Sequence, residues 1–292
     1  MYDRQNVVKA RHSALGDLLR RSALRTPGKC AVIYGKRRWT YAELDVAVNR
    51  VANALHERGI GKGDRVALLS HNNDAFVVVD FAVARLGAIL VPINFMLKAH
   101  EVAYVLQHSQ ACGLVIEYTL VHLALDALKK SETALRAKGV IREHGGSLPD
   151  GWDDVSSWEI HPIDAAPQVV TSEDEPAQIM YTSGTESRPK GAMLSTRNLI
   201  AQYMSCIVDG EMSADDVEIH ALPLYHCAQL HCFLSPGLYL GATNIIPAGR
   251  RSSVHPEGDR VGASHEAILS ADRVDRTAAA YRFRAAGAVV SP

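Results

Sequence analysis

The chain lacks several features that mark whole classes of protein. It has no run approaching the roughly twenty apolar residues that a membrane span needs, and its first residues, MYDRQNVVKARHS, lack the apolar stretch of a signal peptide. The 31 basic and 32 acidic residues give a formal net charge of −1, so there is no excess of positive charge for nucleic acid. These absences predict a cytoplasmic protein with no membrane span and no nucleic-acid partner.

Cysteine is scarce and unevenly placed. The five cysteines, at positions 30, 112, 206, 227 and 232, are odd in number and scattered, which predicts reduced thiols. Two of them sit beside His226 and His231. The spacing of Cys227 and His231 suits one face of a helix, whereas that of Cys227 and Cys232 does not. Cysteines that pack in a pocket wall are therefore favoured, and a metal site is the alternative.

What is present predicts a large α/β core. The 292 residues are 47% hydrophobic, enough for one big domain or two lobes. Residues 39–55 predict a helix that begins at a capping box formed by Thr40 and Glu43. Its apolar face is formed by Leu44, Val48, Val51 and Leu55. Residues 64–70 and 87–94 predict strands, and residues 74–86 predict the helix between them.

The segment 181–193, YTSGTESRPKGAM, has the composition of a loop that binds phosphate. Its glycines allow backbone conformations that other residues avoid and let N–H groups approach an anion. Its hydroxyl groups can donate hydrogen bonds to phosphate oxygens. The positive charge of its lysine can stabilise negative charge that develops on a phosphate. Residues 177–181 before it predict an apolar strand, and residues 196–208 after it predict a helix with Thr196 as N-cap. The predicted phosphate-binding residues are Thr182, Ser183, Gly184, Thr185, Ser187, Lys190 and Gly191.

Two other interpretations account for part of this segment. A Walker A loop requires a lysine directly after a glycine, but here Pro189 precedes Lys190. A polar surface turn would also collect glycine, serine, threonine and proline. The ordered succession of residue types over the whole segment favours the phosphate loop.

The string IMYTSGTESRPKGAMLS resembles the phosphate loop of the AMP-forming adenylating superfamily, which includes acyl-CoA synthetases, luciferases and peptide-synthetase adenylation domains. Glu186 and Ser187 stand where the family usually has Thr-Gly, and Thr196 stands where it often has histidine. Residues 39–55 resemble the family's first helix. ALPLYHCAQL at 221–230 resembles its Leu-Pro-aromatic-His segment, which borders the acyl group through Tyr225 and His226.

The resemblance implies layered α/β subdomains and a two-step ligation. A carboxylate would attack the α-phosphate of ATP, and coenzyme A thiol would then displace AMP. Mg²⁺ would bridge phosphate oxygens, with Thr185 near it. Glu186 joins the predicted nucleotide-binding residues on the same ground. The string ALPLYHCAQLHCFLSPGLYLGATNII looks most like fatty acyl-CoA synthetases. The apolar Leu222, Leu224, Leu230 and Phe233 suit either an alkyl chain or a core helix.

The resemblance also predicts how the chain is organised. Residues 1–249 are expected to form part of the family's N-terminal domain: a first lobe at 1–142, a connection at 143–175, and the phosphate loop with the start of a second lobe at 176–249. Trp152 and Trp158 in the connection are expected to be packing anchors. The family's C-terminal domain, which supplies a lysine for adenylation, is expected to be absent, because Lys190 is the last lysine.

From about Arg250 onward, the sequence no longer shows a resemblance to the family. Residues 250–292 contain nine alanines and seven arginines but no lysine, a composition that predicts a frameshifted or truncated product. The alternative is an ordinary divergent segment with a helix at 267–280. Two functions follow: an acid-thiol ligase that is impaired in this chain, or a non-catalytic nucleotide- or acyl-binding fragment, one half of a split enzyme. A partly built lobe predicts an exposed apolar face and self-association.

Overall fold

The computed structural model describes residues 14–142, 145–182, 189–248 and 283–285, the last three as backbone only. The strands are β1 (Cys30–Tyr34), β2 (Arg37–Thr40), β3 (Arg65–Leu69), β4 (Ile89–Pro92), β5 (Gly113–Glu117), β6 (Ala137–Ile141), β7 (Asp153–Asp154), β8 (Pro176–Thr182), β9 (Lys190–Ser195), β10 (Val217–Ile219), β11 (Thr243–Ile246) and β12 (Phe283–Ala285). The helices are α1 (Asp17–Arg25), α2 (Tyr41–Glu57), α3 (Asp74–Arg85), α4 (Ala99–His108), α5 (Val121–Leu128), α6 (Val155–Glu159), α7 (Thr196–Asp209), α8 (Cys227–Gln229) and α9 (Ser235–Leu240). A π-helical turn at Leu230–Leu234 joins α8 to α9, and a 3₁₀ turn at Tyr118–Leu120 precedes α5.

The strands form two sheets. The larger has the order β7-β6-β5-β3-β4-β8-β9 and is parallel except for the antiparallel pair β8 and β9. The smaller has the order β12-β10-β11-β1-β2 and is parallel except for the hairpin of β1 and β2. Parallel neighbours need crossover connections, and α3 and α4 supply them around β4.

Each sheet takes strands from both sides of the 143–175 segment. β8 and β9 complete the sheet begun by β3 to β7, while β10 and β11 pair with the hairpin formed by β1 and β2. The predicted α/β architecture is confirmed. The domain boundaries at 142, 175 and 249 stay a prediction.

Two helices form the centre of the core. The Thr40 side chain accepts from the Glu43 N–H, and the Glu43 carboxylate accepts from the Thr40 N–H, so the predicted capping box begins α2. Helix α3 begins after Asn73, whose side chain caps the Phe76 N–H. The two helices pack together, and the predicted apolar face of α2 is fully buried: Leu44, Val48, Val51 and Leu55. The position of α3 matters for function because one of its carboxyl groups, Asp80, lies against β8.

Three details differ from the sequence predictions or extend them. Helix α7 is capped by Ser195, whose hydroxyl accepts from the Asn198 N–H; the prediction of Thr196 as N-cap was wrong, because the helix already includes Thr196. The connection contains β7 and α6, and both its tryptophans are buried, as predicted. The helix predicted at 267–280 lies outside the described residues.

Exposed apolar side chains include Met193 on β9 and Met204 and Val208 on α7. The predicted self-association through such a face stays a prediction. In the part of the chain that the structure describes, none of the helices combines the length and apolar character that a bilayer span demands.

Candidate functional site

The phosphate segment lies at the end of a β-hairpin. Thr182 closes β8 and Lys190 opens β9, and the two residues are directly paired across the strands. Both are exposed, so a hydroxyl and an ammonium group point from the same end of the hairpin into solvent. Ser183, Gly184, Thr185, Glu186 and Ser187 lie outside the described residues, and their roles in binding phosphate and magnesium stay predictions.

Two expectations for this segment need correction. Lys190 and Gly191 were predicted in a loop that runs directly into a helix, but they lie in strand β9. Gly191 was expected to supply an unusual backbone conformation, yet it is not among the glycines with positive φ. A Cβ at this position would lie 2.8 Å from Ile179 Cγ2 and 3.2 Å from the Tyr181 ring. Glycine is needed here because neighbouring side chains approach closely.

Helix α4 supports the hairpin on one side through three rings. The Tyr104 hydroxyl donates to the Pro189 carbonyl oxygen at 3.1 Å, next to Lys190. The Tyr181 hydroxyl lies 2.7 Å from His108 Nδ1. The Tyr104 ring is stacked on His108 and edge-on to Tyr181. Burial raises the pKa of Tyr181 to about 12, so its phenol keeps its proton near neutral pH and can donate to His108.

A buried polar chain supports the same hairpin on the other side. Gln178 of β8 donates from Nε2 to Asp80 Oδ1 at 3.1 Å. Its Oε1 lies 2.7 Å from Nε2 of His231, and His231 Nδ1 lies 2.8 Å from the Tyr203 hydroxyl. These four side chains join α3, β8, the π-helical turn and α7, and each is at least 95% buried.

The donors and acceptors among these four side chains follow from the chemistry of each group. The amide oxygen of Gln178 can only accept, so His231 carries its proton on Nε2. A neutral imidazole then has Nδ1 free as an acceptor, and Tyr203 donates to it. Burial lowers the pKa of His231 to about 3 and raises the pKa of Asp80 to about 7. His231 is therefore neutral at physiological pH.

The segment that resembles the family's Leu-Pro-aromatic-His motif is fixed by one asparagine. Asn72, just after β3, donates to the carbonyl oxygens of His220 and Leu222 and accepts from the Leu224 N–H at 2.8 Å. Gln229 accepts from the Leu222 N–H at 3.1 Å. The backbone between β10 and α8 is thus held by side-chain hydrogen bonds in place of strand or helix pairing.

Tyr225 and His226 take different positions. Tyr225 is half-buried and packs edge-on against Phe95, with ring centroids 5.1 Å apart. Phe95 in turn packs on His71, whose Nδ1 lies 2.9 Å from Glu117 Oε2. His226 is exposed, and its ring nitrogen accepts from the Ala228 N–H at 3.2 Å to cap α8. The predicted contact of both residues with an acyl group stays a prediction.

The residues at the end of the hairpin and the residues that pack around Tyr225 lie along one edge of the larger sheet. This edge is formed by the carboxyl ends of its parallel strands. Thr182 ends β8, Phe95 follows β4 and His71 follows β3, and these three strands are parallel. Ligands in such sheets bind outside the carboxyl ends of the strands. Sequence reasoning missed Tyr104, His108, Asn72, Phe95 and His71. Only the polar run SHNN directly after an apolar strand offered a signal for two of them.

Of the four leucine and phenylalanine side chains considered for an alkyl pocket, two belong to the core. Leu224 and Leu230 are fully buried, which favours the core-helix interpretation for them. Phe233 lines a cavity of about 300 Å³ between α7, β10 and the π-helical turn. Tyr225 and His226 are not among its lining residues.

The Cys227 and His231 pair does not come together as metal ligands. Both ring nitrogens of His231 are engaged by Gln178 and Tyr203, and Cys227 Sγ lies 3.9 Å from His226 Nδ1. Over residues 14–142, 145–182 and 189–248, no group of three histidine, cysteine or acidic side chains is arranged to hold a metal ion.

Comparison with known proteins identifies the family to which this fold belongs. Residues 19–258 match the profile of the AMP-binding enzyme family, and the chain belongs to that family. A feruloyl-CoA synthase from Amycolatopsis sp. is 35% identical over 236 residues, which cover 81% of this chain and 44% of that protein. The chain therefore spans less than half the length of this relative.

Solved structures agree with the fold. The N-terminal domain of FACL13 from Mycobacterium tuberculosis, solved with an inhibitor, superimposes with a TM-score of 0.71 at 28% identity, over 80% of this chain and 57% of that chain. A long-chain-fatty-acid-CoA ligase from Archaeoglobus fulgidus gives a TM-score of 0.71 at 25% identity, over 80% and 47% of the two chains. The prediction of an N-terminal adenylate-forming fold is confirmed.

Proposed function

We propose that this chain supplies the ATP-phosphate and acyl-binding side of an AMP-forming acid-thiol ligase. The proposal is carried by the pairing of Thr182 with Lys190 at the exposed end of the β8-β9 hairpin. The same edge of the sheet holds Phe95, against which Tyr225 packs. A hydroxyl donor beside an ammonium group suits the oxygens of a polyphosphate. Family membership supports the assignment of that anion as ATP.

In the proposed reaction a carboxylate oxygen attacks the α-phosphorus of ATP, and pyrophosphate leaves. The thiol of coenzyme A then attacks the acyl carbon, AMP leaves, and a thioester forms. Lys190 would hold the β- and γ-phosphates while charge builds on the leaving pyrophosphate. Mg²⁺ bound with ATP would offset that charge; its predicted neighbour Thr185 lies outside the described residues.

The acid is proposed to be a fatty acid. Ile219, Met212 and Phe233 give the cavity near α7 an apolar lining that suits an alkyl chain. The likeness to a long-chain-fatty-acid-CoA ligase supports this choice, whereas the likeness to a feruloyl-CoA synthase makes an aromatic acid the competing class. A panel of medium-chain, long-chain and cinnamic-type acids in a thioester-forming assay would separate the two classes.

A binding role without turnover is the second candidate. It is favoured by the share of the relatives that this chain covers, which is 44% of the feruloyl-CoA synthase. We expect the 292 residues, expressed alone, to bind ATP without catalysing ATP-pyrophosphate exchange. Exchange above background in the presence of a fatty acid would contradict this expectation.

Replacing Lys190 tests the phosphate site directly. We expect Lys190→Ala to weaken binding of Mg-ATP about tenfold, which corresponds to about 1.4 kcal/mol for one lost charged contact, with no change in melting temperature. Titration calorimetry measures the affinity. Lys130→Ala, which removes another exposed lysine after α5, is the matched control and should leave affinity unchanged. Equal affinity for both variants would remove the basis of the proposal.

A further inference from the structure

Two of the five cysteines come together at the cavity beside α7. Cys206 lies on α7 and Cys232 on the π-helical turn, and both line the cavity of about 300 Å³. Gln202 Nε2 lies 3.1 Å from Cys206 Sγ and 3.9 Å from Cys232 Sγ, so one amide group contacts both sulfurs. Burial and the neighbouring Cys206 thiol raise the pKa of Cys232.

The other cysteines have different surroundings. Cys30 Sγ is directed at the Val32 carbonyl oxygen and Cys112 Sγ at that of Arg65. Cys227 is exposed and lies beside His226. Cys206 and Cys232 are half-buried, yet the cavity they line is wide enough to admit small molecules.

We propose that Cys206 and Cys232 are a reactive dithiol that hydrogen peroxide oxidises to an intramolecular disulfide. The Cys206 sulfur attacks the distal peroxide oxygen, the O–O bond breaks, and water leaves to give the sulfenic acid. The Cys232 sulfur then attacks the Cys206 sulfur, the S–O bond breaks, and a second water leaves with the Cys232 proton. The two electrons lost by the thiols reduce the peroxide.

The order of attack follows from the surroundings of the two thiols. Burial raises the pKa of Cys232 to about 11, so this thiol keeps its proton at neutral pH and is the poorer first nucleophile. Cys232 acts in the second step because the Gln202 amide group contacts its sulfur as well as that of Cys206, which it must attack. The product joins α7, which follows β9, to the turn that follows Tyr225 and His226. The disulfide thus cross-links the two sides of the candidate site.

The test is differential thiol labelling of the purified chain. The reduced protein is treated with hydrogen peroxide, free thiols are alkylated, and disulfides are then reduced and labelled with a heavier reagent before peptide mass mapping. We expect Cys206 and Cys232 to acquire the heavy label together, with the intact mass lowered by two hydrogen atoms and no covalent dimer. Cys30 and Cys112 serve as internal references and should stay light.

Two variants keep the assignment testable. In Cys232→Ser, the Cys206 sulfenic acid should persist and react with dimedone; in Cys206→Ser, Cys232 should stay reduced. Circular dichroism confirms that each variant folds. Three outcomes would each overturn the proposal. The first is heavy label on Cys227 together with either residue, and the second is a disulfide between two chains. The third is that Cys206 and Cys232 stay reduced while Cys30 or Cys112 is oxidised. The wild-type mapping decides the question even if a variant fails to fold.

Discussion

The two sides of β8 support the same hairpin by opposite means. On one side Gln178 enters a polar chain with Asp80, His231 and Tyr203 that is closed to water. On the other side Tyr181 meets His108 and Tyr104 at a half-exposed position beside Pro189. Alternation along the strand produces this division, because successive side chains point to opposite faces of a sheet.

The difference between the two sides is energetic. A hydrogen bond open to water exchanges with solvent when it is broken, so its loss costs about 0.5 to 1.5 kcal/mol. A buried group that loses its partner instead pays its full desolvation penalty, about 1 to 3 kcal/mol for each group. We therefore expect the buried polar side chains around Gln178 to determine whether the hairpin forms. We expect the rings of Tyr104, His108 and Tyr181 to adjust the position of Lys190.

The largest effect is expected from Gln178→Leu. This change leaves the His231 Nε2–H without an acceptor and the Asp80 carboxyl without its donor, both inside the core. The free energy of unfolding should fall by about 2 to 5 kcal/mol, measured by urea denaturation. Gln168→Leu, the same chemical change at an exposed position, is the matched control and should fall within about 0.5 kcal/mol of wild type. A Gln178→Leu protein as stable as this control would refute the division between the two sides.

Asp80→Asn tests the buried chain through its dependence on pH. The pKa of Asp80 is about 7 in the folded protein, against about 3.9 for an unfolded chain. Between these values the unfolded state releases a proton that the folded state retains, so the stability contributed by Asp80 falls as pH rises and levels off above pH 7. Asparagine keeps an acceptor for Gln178 Nε2 and does not titrate.

The stability of Asp80→Asn relative to wild type should therefore increase by about 2 kcal/mol between pH 5 and pH 8. Denaturant titrations at the two pH values measure this difference, which does not depend on any fixed cost of the substitution itself. Asp209→Asn, at the exposed end of α7, is the matched control for the change of charge. A difference that is flat with pH, or that shrinks, would show that Asp80 is ionised in the folded protein.

The contrast between contacts that are local in the sequence and contacts that are distant explains which elements the sequence could predict. The capping box of α2 and the strands flanking α3 follow from local patterns, and the structure confirms these elements. The phosphate-binding role of segment 181–193 also comes from a local pattern and stays a prediction. The Ser195 N-cap was missed because Ser195 and Thr196 are both good capping residues, and the choice depends on where β9 ends. Strand β9 forms by pairing with β8 on the other side of the phosphate segment, and no local pattern predicted it.

The supporting residues were beyond local reasoning for a related reason. Gln178 looked like one polar residue in a short apolar strand, and its partners Asp80 and His231 lie far from it along the chain. Tyr104 lies likewise far from Pro189. Only the packing of β8 between α3, α4 and the π-helical turn brings them together. Residues that hold the hairpin in place are thus harder to find from local patterns than the residues proposed to bind the ligand.

The smallest effect is expected on the outer side, from Tyr104→Phe. Loss of the bond to the Pro189 carbonyl oxygen should lower the free energy of unfolding by about 1 kcal/mol or less, because water can replace the hydroxyl. If the hairpin binds ATP as proposed, the same change should weaken Mg-ATP binding about threefold by loosening the backbone beside Lys190. Tyr239→Phe, a tyrosine of α9, is the matched control. A loss of stability as large as that of Gln178→Leu would mean that the outer rings are part of the core, whereas unchanged ATP affinity with the expected small loss of stability would mean that they do not position Lys190.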